Sequence, residues 1–116
     1  MYAVKESSTN QLNKSGALDQ CPVTYTLTKI GGRWKPLIIY QLEKGPLRYN
    51  MLKKAIPSIT EKMLIQHLRE LETDNLIVRE VKPVVPPHVT YELTAAGKEL
   101  SPVLAAMAKW GFQHNK

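Results

Sequence analysis

The stretch from Thr60 to Leu76, TEKMLIQHLRELETDNL, decides how the chain folds. Leu64, Leu68 and Leu71 recur at i, i+4 and i+7, the spacing of one helix face. Thr60 places a hydroxyl where it can accept from the unpaired N–H groups of a first turn. Asp74-Asn75 closes the segment, because Asn tolerates the left-handed backbone that ends a helix. Opposite the leucines stand Lys62, Gln66, Arg69 and Thr73. Side chains of these types read base edges and hold phosphates. An arbitrary helix turns such residues to solvent, so the flanking sequence has to choose between the two readings.

On the N-terminal side, Asn50 to Ala55 reads as a short helix that buries Leu52, with Met51 a second inward candidate and Lys53 and Lys54 outward. Ile56-Pro57-Ser58-Ile59 is a compact turn. A short helix, a tight turn and a longer helix with a polar outer side make a helix-turn-helix. On the C-terminal side, Ile77 to Lys82 is β-rich, and Val89, Tyr91 and Leu93 alternate with His88, Thr90 and Glu92 as in a half-buried strand. Between them Pro83-Val84-Val85-Pro86-Pro87 cannot continue a ladder, since its prolines lack N–H donors. Two strands with a stiff exposed tip form a β-hairpin wing. Leu47-Arg48-Tyr49 has room for one or two bridges of a further strand.

Further out, Pro22 suits a first helical turn, Val23, Leu27 and Ile30 share one face, and Gly31-Gly32 ends that helix. A second helix begins near Trp34, with Pro36 tolerated in its first turn. Trp34, Leu37, Ile38 and Leu42, widened by Ile39 and Tyr40, make it apolar enough for the centre of the core, and Gly45-Pro46 breaks it. Thr94 caps a last helix, which Pro102 kinks or splits after Ser101. Leu100, Val103, Leu104, Met107, Trp110 and Gly111 form a continuous stripe along it. So apolar a terminal helix exceeds what one small domain needs to cover itself, and an oligomer contact is the simplest use; packing on the chain's own core is the alternative. Residues 1–20 are polar and aperiodic and are expected to form a flexible N-terminal arm, leaving residues 21–116 as one domain.

The chain has 116 residues and a net charge of +6. Eight bases and two acids lie between Lys29 and Lys62, which is the whole of that excess. A positive field concentrated on the approach to the Thr60 helix suggests a polyanionic partner. No apolar run approaches the ~20 residues of a membrane span. Cys21 is the single cysteine, so no disulfide can form within the chain. No export signal is visible at the N-terminus. These features point to a cytoplasmic protein. His67, His88 and His114 do not fall at metal-ligand spacing with Cys21, and no phosphate loop, nucleophile elbow or HExxH motif is present, so neither an enzyme nor a cofactor is expected.

The order of elements is that of a mainly α protein with a small β-hairpin, a winged helix-turn-helix. The sequence resembles the HxlR-type bacterial transcriptional regulators in Cys21-Pro22-Val23, Ile30-Gly31-Gly32-Arg33-Trp34, Gly45-Pro46-Leu47-Arg48-Tyr49, Ile59-Thr60-Glu61-Lys62-Met63-Leu64, Leu68-Arg69-Glu70-Leu71-Glu72, Val85-Pro86-Pro87-His88-Val89-Thr90-Tyr91-Glu92-Leu93-Thr94 and Gly97. Each motif alone is weak; seven in this order are specific. The resemblance implies a dimeric, cytoplasmic DNA-binding regulator whose N- and C-terminal helices pair, which adds Val23 and Leu27 to Leu100, Leu104, Met107 and Trp110 as pairing residues.

On this reading Thr60, Lys62, Gln66 and Arg69 contact double-stranded DNA in the major groove. Arg48, Tyr49, Lys53 and Lys54 hold backbone phosphates, and Arg79, Lys82 and His88 on the wing reach the flanking groove or backbone. A two-fold dimer implies a near-palindromic operator. Cys21, at a helix start where N–H groups can lower a thiol pKa, is similar to the cysteine that some family members use as a redox or electrophile sensor, so an oxidant or small-molecule effector is expected. A small buried residue without chemistry is the competing account of Cys21. A winged helix that binds protein or a small ligand without DNA is the competing account of the whole chain.

Overall fold

The structure, a computed structural model, describes residues 21–116; the arm expected over residues 1–20 lies outside the described residues. The chain divides at Gly31 into two compact units. In the first, helix α1 spans Pro22–Ile30, with Cys21 as its extended N-cap residue and Pro22 in its first turn. Gly31 ends it, its N–H donating to the Leu27 carbonyl at 2.8 Å. Val23 and Leu27 are exposed, at 66% and 59%.

The second unit runs from Gly32 to Lys116. It contains α2 (Lys35–Leu42), β1 (Leu47–Arg48), α3 (Tyr49–Ala55), α4 (Glu61–Thr73), β2 (Ile77–Lys82), β3 (His88–Leu93), α5 (Ala95–Lys98) and α6 (Ser101–His114). The sheet is antiparallel in the order β1-β3-β2. Ile77 pairs with Leu93 and Lys82 with His88, so the prolines sit in the hairpin tip. Ile38, Ile39 and Leu42 of α2 are buried, as their near-continuous apolar run requires.

The leucine spacing of α4 does what it predicts. Leu64, Leu68 and Leu71 are each at most 1% exposed, and burying such a side chain stabilises by about 1.5–3 kcal/mol. Thr60 Oγ1 accepts from the Met63 N–H at 3.1 Å, which is the expected N-cap. At the other end Asn75 takes φ 61°. The Leu76 N–H donates to Leu71 O and the Asn75 N–H to Glu72 O, the paired bonds of a Schellman cap. The same corner anchors the wing. The Thr94 hydroxyl donates to Asn75 O at 2.7 Å and accepts from the Gly97 N–H at 3.1 Å, so one side chain joins the end of α4 to the start of α5. Gly97 is buried there with no room for a methyl: a Cβ would run into the Leu76 carbonyl oxygen.

Several expectations need correction. Met51 is exposed rather than inward, because the seven-residue α3 has only one side against the core and Leu52 fills it. The terminal helix splits at Glu99–Leu100, and Pro102 then stands in the first turn of α6, where its missing N–H costs nothing. Leu104, expected at a pairing surface, is 5% exposed and belongs to the chain's own core, beside Pro36 and Leu37 of α2. Leu100 is half-buried, while Met107 and Trp110 remain exposed.

Candidate nucleic-acid interface

The outward side of α4 carries Lys62, Gln66, Arg69 and Thr73, all exposed, and exposed Thr60 caps the same end. The leucines fix which way that side faces, because rotating α4 would expose them. Lys53 and Lys54 lie in the last turn of α3, just before the turn. Lys54 is exposed, whereas Lys53 is half-buried and donates to the Pro57 carbonyl at 3.4 Å, so it also ties down the turn between the two helices.

Glu70 sits between α4 and α2. Its Oε1 is 2.7 Å from Lys35 Nζ and 3.4 Å from His67 Nδ1, and its Oε2 accepts from Gln66 Nε2 at 3.2 Å. These partners hold the carboxyl down at about 2; the Lys35 hydrogen bond is the largest cause and the Gln66 bond the next. His67, half-buried and bonded at the helix edge, is the core-edge residue its position suggests.

Between α4 and the wing, Arg69, Glu72 and Arg79 line a cavity of about 400 Å³ with Ile65, Leu68 and Tyr91. Arg79 pairs across the ladder with Tyr91, near the base of the wing. It therefore stands beside α4 rather than at the tip. Lys82 and His88 pair with each other at the distal end of the hairpin. There an Arg48 guanidinium N–H group donates to the His88 imidazole, lying 2.6 Å from Nδ1 and 2.8 Å from Nε2. The β1–β3 pairing thus brings together two residues that lie forty positions apart.

Tyr49 is the member of the expected set that the structure removes. Its hydroxyl is buried and unpaired, so it cannot hold a phosphate from this position. Burial pushes its pKa up, with Glu61 and Tyr91 adding to the effect. The residue before it, Arg48, occupies the strand and points out; Tyr49 opens α3 and turns in. Lys35, Glu70 and Thr94 brace the interface and were not singled out for that from sequence. Only the cap at Thr94 had a local signal.

At the start of α1 the Cys21 thiol is held below its ordinary pKa of 9.0, chiefly by the Thr24 backbone N–H, then by the Thr24 side chain and the Val23 N–H; slight burial opposes them. Cys21 is half-exposed and unbridged. A thiolate, which is the nucleophile, is favoured there.

A helix-turn-helix whose second helix has an exposed polar side, followed at once by a hairpin and backed by a three-stranded sheet, defines a winged helix. Residues 29–116 match the HxlR-like helix-turn-helix family, and the chain belongs to that family. It is 46% identical over 99 residues to the HTH-type transcriptional regulator YybR of Bacillus subtilis (strain 168), covering 85% of this chain and 76% of that protein. Among solved structures it is similar to the redox regulator HypR. The oxidised form matches with TM-score 0.78 at 45% identity over 81% of this chain and 97% of HypR. The reduced form matches with TM-score 0.79 at 43% identity over 83% and 95%. The protein is a transcriptional regulator of helix-turn-helix type.

Proposed function

We propose that the protein binds duplex DNA sequence-specifically as a homodimer on a near-palindromic operator, with α4 in the major groove, and that Cys21 makes binding responsive to oxidants or electrophiles. The observation that carries this reading is the side of α4 opposite its buried leucines. Lys62, Gln66 and Arg69 are held outward on a helix braced at both ends, directly after the basic stretch through Lys53 and Lys54. Arg69 and Gln66 are the base-reading residues in this account. Arg48, Lys53, Lys54, Arg79, Lys82 and His88 serve the backbone on either side.

Pairing of two copies rests on apolar surface left uncovered on both terminal helices. Val23 and Leu27 are exposed on α1, and Met107, Trp110 and Phe112 on α6. The lowered thiol pKa at Cys21 supports the redox reading, as does the likeness to HypR, a redox regulator. Two Cys21 thiols, one from each copy, can form one disulfide by giving two electrons and two protons to hydrogen peroxide, which leaves as two waters.

Selection of bound sequences from random duplex DNA, with and without peroxide, tests the three parts together. The reading expects a near-palindromic consensus whose binding changes with oxidant in the parent but not in Cys21→Ser. Arg69→Ala lowers specific binding, while Lys53→Ala lowers binding to all sequences and flattens its salt dependence. A pool without consensus, bound no better than random DNA, contradicts it.

A further inference from the structure

The bond between Gln66 and Glu70 says more about what the helix reads than exposure alone. Gln66 and Glu70 lie one turn apart on α4, and Gln66 Nε2 donates to Glu70 Oε2 at 3.2 Å. The other carboxylate oxygen already faces the Lys35 ammonium at 2.7 Å and the His67 ring nitrogen at 3.4 Å. Lys35 comes from α2, and its side chain is only 12% exposed. Glu70 is therefore anchored from the core side, and one oxygen is left for Gln66. An ionised carboxylate only accepts hydrogen bonds. The Gln66 amide must turn its nitrogen towards it, because the flipped amide would set oxygen against oxygen.

One N–H of the amide is consumed in this way. The remaining N–H and Oε1 are a donor and an acceptor on neighbouring atoms. Adenine presents their complement in the major groove, an N6 donor beside an N7 acceptor. An unrestrained glutamine offers either end of its amide, and accepting or donating patterns compete. Glu70 stays ionised across the neutral and mildly acidic range, since its partners hold its carboxyl down at about 2.

We propose that Glu70, through its Oε2, is a positioning residue that orients the Gln66 amide to read adenine at one position of each half-site. The proposal rests on the reading of α4 as the base-contacting helix, and the experiment separates the two. The operator is first selected with the parent protein. Each base of a half-site is then varied and binding is measured by anisotropy for the parent, Gln66→Ala, Lys35→Met and the double variant Lys35→Met/Glu70→Ala. Lys35→Met is the reference background, because it removes the covered ammonium that Glu70→Ala alone would leave unpaired.

Gln66→Ala loses discrimination at a single adenine position, by roughly 5- to 150-fold. Relative to Lys35→Met, the double variant loses at least about three-fold of its preference at that same position and nowhere else, with an unchanged salt slope. The parent, but not the double variant, is also weakened by an adenine analogue lacking N7 there. If Gln66→Ala alters no position selectively, the base-reading assignment of Gln66 on α4 fails. If it does, while the double variant keeps the preference or weakens every position equally, Glu70 is a structural ion-pair partner only and the proposal is overturned.

Discussion

Thr60 has two jobs in this account, and substitution can separate them. Its hydroxyl oxygen caps α4 by accepting from the Met63 N–H at 3.1 Å, and the proposed docking of α4 would set the helix start close to a DNA backbone. Thr60→Ala removes the cap, which costs about 1 kcal/mol. For a domain of this size that lowers the melting midpoint by about 4–8 °C. Thr60→Asp keeps an oxygen at the cap and adds a negative charge that suits a helix N-terminus, so its midpoint stays at or above the parent's. On DNA the order reverses. A carboxylate ~6 Å from a phosphate is repelled by about 0.7 kcal/mol at the dielectric of water and about 3 kcal/mol at an effective dielectric of ~20. The operator Kd of Thr60→Asp therefore rises by about 3- to 100-fold, and the loss shrinks as salt screens it. Circular dichroism melts and anisotropy titrations at two salt concentrations read both effects. A Thr60→Asp protein that binds its operator as tightly as the parent would refute the placement of the helix start against DNA. A Thr60→Ala protein that melts with the parent would refute the cap.

Three further outcomes follow from the geometry. The Glu70 carboxyl lies at about 2 against an ordinary 4.5, so the stability it contributes is fully present above about pH 4.5 and is lost as pH falls towards 2; Glu70→Gln flattens that part of a denaturant-midpoint profile, and an unchanged profile would show that the ion pair contributes nothing. Gly97→Ala drives a methyl into the Leu76 carbonyl and should destabilise by about 1–3 kcal/mol in a denaturant melt, whereas a parent-like midpoint would mean that α5 is free to shift. The rate of Cys21 alkylation against pH should have its midpoint below the ~8.5 of a free cysteine thiol, and Thr24→Val should raise that midpoint by removing the hydroxyl; a profile like that of a free thiol would leave Cys21 without special reactivity.

What sequence made legible here is what local spacing encodes. The three leucines, the Thr60 cap and the left-handed Asn75 all lie within one helix and its ends, and each is where its residue type requires. The hairpin was legible because prolines exclude a ladder between two β-rich runs. Partners distant in sequence left no such trace. Lys35 and Glu70 meet through helix packing, and Arg48 reaches His88 through the β1–β3 register. Neither pairing has a periodicity to read. The apolar stripe of α6 named the right face but could not divide it. Leu104 goes to the chain's own core and Met107 to the surface, one turn of helix away or less. Tyr49 was misread because an aromatic hydroxyl beside Arg48 suits a phosphate equally well on paper; the change from strand to helix at that residue turns it inward.

Footprinting of the protein on its selected operator tests most directly whether the outward side of α4 meets duplex DNA in two copies. The account predicts two protected major-groove segments, related by a two-fold axis and ~34 Å apart or a multiple of that. Protection of one segment only at saturating protein, or none on any selected sequence, would contradict it.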